Sequence, residues 1–253
     1  MAKDLFSSHA SDYAKYRPTY PVELIEYISS LAPQKQAALD CATGNGQAAV
    51  LLAQFFEEVY ATDLSEKQLE SAATHPRIHY SVSPAESTPF DDNSFDAITI
   101  AQAYHWVNHQ KFAEEAKRIG RNGSIVAVIG YNLFRCVNPA VTEKVDDFYN
   151  NVTDPYWEPE RKIVQNLYKD AYFGFDELPV TESFKMQTHW NIDQMEGYIN
   201  TWSAIKKFIK VNNFNPVPEL IETIRTVWGN EKELEFNFPL ALRIGRVIKR
   251  SHA

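Results

Sequence analysis

The apolar positions of the first half of the chain read as strands and helices in alternation. In residues 21 to 31 (PVELIEYISSL), Val22, Leu24, Ile25 and Ile28 fall close to one helical face, and Pro21 stands where a helix start tolerates it. A short apolar run from Ala37 to Cys41 follows, ending at Asp40 and Cys41 before the turn TGNG. The pattern then predicts a helix over 47–55, a buried strand over 58–62, and a helix capped by Ser65 with Gln68 at the capping-box position. Strands are expected over 77–82, 95–101 (FDAITIA) and 124–130 (SIVAVIG), with a helix over 109–119. Strands that are short, apolar throughout and separated by helices argue for a parallel sheet covered on both faces.

The second half follows another pattern. Residues 131–176 are rich in Asn, Asp, Pro and aromatics, with one or two helices expected, for example around 160–173. After Pro179 the stretch VTESFKMQTHW alternates like a half-exposed strand, 193–210 and 216–228 look helical, and ELEFNFPLALRIG reads as one closing strand. There is no internal repeat and no long linker. The chain is therefore expected to form a single α/β domain over residues 1–253, doubly wound, with 131–176 as a cap inserted over one end of the sheet.

Composition narrows the classes of function. The chain has 253 residues, 44% hydrophobic and 23% charged, with 9 Gly and 13 Pro, which excludes a disordered or low-complexity chain. A net charge of −8 gives no positive field for phosphate backbones, so no nucleic-acid partner is expected. No apolar run approaches the roughly 18 residues of a membrane span, and MAKDLFSSHA lacks the apolar stretch of a signal peptide. A cytoplasmic protein without membrane partners is the expectation. Cys41 and Cys136 are too few for a disulfide framework or a cysteine-built zinc site.

The chemistry starts at Asp40-Cys41-Ala42-Thr43-Gly44-Asn45-Gly46, at the exit of the first strand. Glycine is needed where a backbone turns sharply from strand to helix or lets a ligand approach, so the turn marks a cofactor site. Gly44-x-Gly46-x-x-Ala49 also satisfies the dinucleotide pattern. Asp63 ends the second strand, 17 residues beyond Gly46, where a carboxylate can accept hydrogen bonds from both ribose hydroxyls; its alternative role is a helix cap. A third stretch, SPAESTPFDDNSFD, joins the third strand to the fourth.

In this order and spacing the three stretches resemble the class I S-adenosylmethionine-dependent methyltransferases, in particular the small-molecule group called methyltransferase type 11. LDCATGNG is similar to the family motif D-x-G-x-G-x-G, with Ala42 in place of the first glycine, a change that requires this position to avoid a glycine-only backbone angle. ATDLS is similar to the second motif, PAESTPFDDNSFD to the third with its adenine-contacting loop, and RIGRNGSIVAVIG to the strand-five motif with its turn at Gly123. FSSHASDYAKYRPTYP matches the family's N-terminal pattern, and AQAYHW together with TWSA resembles the subgroup that includes trans-aconitate methyltransferase-like enzymes.

The resemblance implies a Rossmann-like, mostly parallel seven-stranded sheet, an N-terminal helical flap over residues 1–20, a partly helical cap, and an antiparallel strand for which LEFNFPLAL is the candidate. It implies S-adenosylmethionine as cofactor and S-adenosylhomocysteine as product. Asp40, Ala42, Gly44 and Gly46 would surround the methionyl part, Asp63 would hold the ribose, Leu64 would pack on the adenine, and Ala85 with Glu86 would meet its nitrogens. Ala101 and Gln102 would lie beside the sulfonium, while Tyr13 and Arg17 would close over the site. Arg17 suits a carboxylate, its alternative being a surface arginine before a proline turn.

Methyl transfer from a sulfonium needs no nucleophilic side chain; the reacting groups must be held in line and water excluded. The expected acceptor is a small molecule, with a carboxylate oxygen ahead of a phenol or quinone hydroxyl, a carbon or a lipid. A carboxylate needs no base, whereas a hydroxyl or carbon acceptor would need one, for which His105 is the candidate; a histidine packing at a strand end is the alternative. Trp106 and Trp202 could wall the acceptor pocket and Ser203 donate to it, or both tryptophans could be core. His105 and His109 lie four apart, but His105 precedes the helix start, so no metal is expected. A dinucleotide-dependent oxidoreductase and a non-catalytic cofactor-binding protein are the rivals from other classes.

Overall fold

The structure is a computed structural model and describes residues 16–249. Tyr13 and most of the expected N-terminal flap lie outside the described residues. Among the described residues, seven strands form one sheet, in the spatial order Ile78–Val82, Glu58–Asp63, Ala37–Cys41, Phe95–Ala101, Gly120–Tyr131, Leu240–Arg246 and Asp176–Leu178. β1 (Ala37–Cys41), β2 (Glu58–Asp63), β3 (Ile78–Val82), β4 (Phe95–Ala101) and β5 (Gly120–Tyr131) run parallel. β10 (Leu240–Arg246) runs antiparallel to β5, and β7 (Asp176–Leu178) antiparallel to β10. The chain winds outward from β1 to β3 and then returns to place β4 on the other side of β1. The ends of β1 and β4 therefore frame the crevice where ligands of such sheets bind.

The central strands β1, β4 and β5 are mostly apolar because helices cover both faces. Ala38, Ala97, Ile125 and Ala127 share one buried cluster with α1 (Val22–Leu31) and α2 (Gln47–Leu52). Their neighbours Leu39, Ile98, Val126 and Val128 belong to a second cluster with Phe112, Ala116 and Ile119 of α4 (His109–Ile119). The short α3 (Glu66–Glu70) starts on Ser65, whose side chain accepts the Gln68 N–H.

The structure departs from the sequence pattern where side chains of the second half override it. The closing strand is two strands broken at Pro239: β9 (Leu234–Phe238) pairs antiparallel with β6 (Arg135–Cys136) and β8 (Met186–Trp190) in a second, three-stranded sheet, and β10 joins the main one. Proline has no N–H to give a ladder, and its carbonyl instead accepts the Asn132 N–H at 2.9 Å. The helix expected over 193–210 is likewise two, α7 (Ile192–Asn200) and α8 (Ser203–Asn212), with Trp202 extended between them. The helix expected over 160–173 is only α6 (Arg161–Gln165), because Leu167 and Tyr168 turn left-handed at φ 54° and 60°. Beside the second sheet, α5 (Pro139–Phe148) packs on β6 and α7 on β8, with α9 (Val217–Arg225) against both helices. Among the aromatics of residues 131–176, Phe134, Phe148, Tyr149, Tyr168 and Phe173 are buried in the two clusters. No helix among the described residues is long and apolar enough to cross a membrane.

Candidate active site

The turn leaving β1 is built on an acid that has lost its water. Asp40 is buried, and its two oxygens accept the hydroxyls of Thr43 (2.5 Å) and Thr99 (2.8 Å). Burial pushes its carboxyl up to about 6 despite these bonds, and the neighbouring Asp63 charge adds to the rise. After it, Ala42 adopts φ 51°, Gly44 57° and Gly46 84°. The Ala42 angle lies in the left-handed region that alanine can enter at a cost of about 1–2 kcal/mol. It is thus strained but not restricted to glycine.

Asp63 at the tip of β2 faces this turn. One of its oxygens accepts the Gly44 N–H and the other the Ser65 N–H, both at 2.8 Å. Two backbone donors fix the carboxylate plane and leave each oxygen a further lone pair. In the loop after β3, Ala85 is buried, and the Glu86 carboxylate accepts the Asn108 N–H at 2.8 Å, tying the loop to the start of α4. At the tip of β4, Gln102 is also left-handed at φ 53°. Its amide pairs with the backbone of Tyr131, accepting the N–H at 2.9 Å and donating to the carbonyl at 3.0 Å, so a side chain extends the β4–β5 ladder by one step.

These tips enclose a cavity of about 360 Å³ lined by Ala42, Gly44, Asp63, Leu64, Ala85, Glu86, Ala101 and Gln102, with Arg17 and Trp106 also in its wall. Asp40 and Gly46 are absent from that wall. Asp40 acts from behind Thr43, and Gly46 makes room for Tyr80, whose hydroxyl fills the space a β-carbon would need. A second cavity, of about 50 Å³, shares Arg17, Gln102 and Trp106 with the first and adds His105, Trp202 and Ser203. The sequence-expected residues within the described range are thus gathered around two adjoining spaces, with Asp40 and Gly46 one layer back.

The smaller cavity also contains Trp157, one of the aromatics of the cap insertion, and three residues that no pattern in the sequence singled out, Glu158, Arg161 and Tyr198. Arg17 donates to Thr201 Oγ1 (3.1 Å) and the Tyr131 hydroxyl (3.0 Å), and its guanidinium sits 5.3 Å from the Tyr198 ring centroid. Arg161 lies over Trp157 at 5.1 Å. Glu158 is paired with Lys207 at 2.6 Å. The imidazole of His105 is buried, with Nδ1 at 3.1 Å from the Tyr168 hydroxyl. Burial, then the charge of Arg161 and then His109, push it down to about 3, so it is neutral across the physiological range. His109 turns the other way, with Nε2 at 3.0 Å from the Tyr104 carbonyl. Among the described residues no three His, Cys, Asp or Glu side chains gather as a metal site.

Comparison with known proteins agrees with this geometry. A family model described as a methyltransferase domain matches residues 39–128, from β1 into β5. A protein of Dictyostelium discoideum named as a methyltransferase is 33% identical over 250 residues, covering 96% of this chain and 95% of its own. The solved structure of a protein from Anaeromyxobacter dehalogenans, titled as a type II methyltransferase, superimposes with a TM-score of 0.85 at 36% identity over 93% of this chain and 100% of its own. A demethylmenaquinone methyltransferase of Thermotoga maritima is 31% identical over 138 residues, covering 53% of this chain and 58% of its own. The likeness to the Dictyostelium discoideum and Anaeromyxobacter dehalogenans proteins runs through almost the whole of both partners and is one of common family, and the chain belongs to the class I S-adenosylmethionine-dependent methyltransferases.

Proposed function

We propose that the larger cavity holds S-adenosylmethionine and that the smaller one takes a small-molecule carboxylate, which is methylated on oxygen. The residues fit the cofactor. A cavity of about 360 Å³ lies within the range of ligand sites, and Asp63 is a preset acceptor for a ribose diol. Leu64 and Ala85 offer an apolar slot for adenine beside Glu86, and Asp40 supplies negative charge through Thr43 to a cationic amino-acid end. Ala101 and Gln102, the latter lining both cavities, would lie beside the reactive sulfur. Bound there, S-adenosylmethionine supplies a methyl group already activated as a sulfonium.

The chain's own task is to hold an acceptor in line and keep it dry. The observation that carries the reading is that Arg17 and Arg161 both line the smaller cavity, while its histidine is held neutral far below the working pH. Guanidinium groups orient a carboxylate, which is already ionised and needs no proton removed. A base pushed down to about 3 is poorly matched to removing a proton from a hydroxyl or a carbon. Glu158, the carboxylate there, is engaged by Lys207. His105 and Ser203 therefore orient the acceptor as hydrogen-bonding groups, and Trp106 and Trp202 wall it.

The aromatic walls and the name of the Thermotoga maritima relative favour a second reading, a quinone or phenol acceptor. Release of S-adenosylhomocysteine, measured across a panel of mono- and dicarboxylates and of phenols and quinols, separates the two. Turnover of a carboxylate, with an Arg161→Gln variant raising its KM by roughly 10-fold or more at unchanged cofactor affinity, is the expected result. Turnover confined to phenols or quinols would overturn the carboxylate reading.

A further inference from the structure

Tyr168 lines neither cavity, yet much of its surroundings serves to fix it. It is fully buried, and it and Leu167 are consecutive non-glycine residues in the left-handed region, at φ 60° and 54°. Such angles persist only where the surroundings over-determine them. Here Arg243 of β10 does so: it donates to the carbonyls of Tyr168 (2.9 Å) and Ala171 (2.7 Å) while its other nitrogens form a two-pronged pair with Glu177 at 2.8 Å. The Tyr168 ring lies against β5 at Gly130, in the space a β-carbon there would occupy. All of this delivers one hydroxyl to His105 Nδ1 at 3.1 Å.

We propose that Tyr168 is a positioning residue: its hydroxyl donates to His105 Nδ1 and holds His105 as the Nε2–H tautomer, a neutral hydrogen-bond donor offered to the methyl acceptor. The role of His105 toward an acceptor rests on reading the smaller cavity as the acceptor site; the tautomer itself does not. A phenol is a better donor than a neutral imidazole N–H and an imidazole nitrogen the better acceptor, so the proton of this pair resides on oxygen and the ring proton goes to Nε2. Among the described residues Nε2 has no hydrogen-bond partner, and His105 lines the smaller cavity. Burial first, then the charges of Arg161 and His109, oppose protonation, which keeps the imidazole a donor at one nitrogen only.

The test is nitrogen NMR of protein labelled in its histidines, with the His105→Gln spectrum identifying the His105 signals. We expect protonated Nε2 and bare Nδ1 in the wild type, and a mixture of tautomers in Tyr168→Phe. A wild-type signal protonated at Nδ1, or a Tyr168→Phe spectrum with unchanged tautomer, would overturn the proposal. Neither result depends on knowing the acceptor, and the wild-type spectrum decides even if the variant fails to fold. With a turned-over acceptor in hand, Tyr168→Phe should raise KM about 10-fold at constant S-adenosylhomocysteine affinity. Added to His105→Gln, whose amide always donates, it should cost nothing more; an additive loss would make Tyr168 merely structural.

Discussion

At the scale of the residue, the glycine turn divides two kinds of work. Gly44 gives its N–H to Asp63 in the cavity wall, whereas Gly46, one layer back, leaves room for the Tyr80 hydroxyl, which donates to the Ala73 carbonyl at 2.9 Å. A Gly46→Ala variant meets both a positive φ of 84° and that hydroxyl, and should lose about 2–4 kcal/mol of stability in urea unfolding. Adding Tyr80→Phe removes the severest contact, though ring carbons at 3.2 and 3.3 Å and the backbone strain stay, so it should return about 1 kcal/mol. No recovery would contradict the hydroxyl contact as a main part of the loss. The spacing of Gly44, Gly46 and Asp63 was readable because a strand, a turn and a helix fix it locally. Arg161 and Tyr131 were not, since they reach the cavities only through long-range packing.

At the scale of the element, the parallel half was legible because its central strands β1, β4 and β5 are buried on both faces and so are mostly apolar. The other half was not, because its breaks depend on partners far away in sequence. Pro239 could be read as a proline, but not as the point where one run feeds two sheets. The end of α6 depends on Arg243, some 75 residues distant from Tyr168. Arg243→Ala should therefore cost about 2–3 kcal/mol, since two carbonyls lose a charged donor. Amide exchange should quicken through residues 167–171 ahead of the parallel strands. Arg243→Lys should restore only part, because an ammonium cannot serve both carbonyls and the two oxygens of Glu177 in one geometry. Full restoration by lysine would contradict the bridging role.

At the scale of the molecule, the sheet brings one buried acid and one preset acid to the same crevice of a protein with a net charge of −8. A cationic ligand beside Asp40 favours its carboxylate form, whose unliganded midpoint is about 6. Protons and ligand then compete. Affinity should rise as pH increases from about 5 to about 7 and level off above, and Asp40→Asn should flatten the profile. The measurement that bears most directly on the whole account is calorimetric titration with S-adenosylhomocysteine, with NADH as comparator and Asp63→Ala as control. We expect S-adenosylhomocysteine to bind the wild type in preference to NADH and to bind Asp63→Ala at least about 30-fold more weakly. Preference for NADH, or S-adenosylhomocysteine binding that ignores Asp63, would contradict the assignment of the larger cavity and every acceptor role built on it.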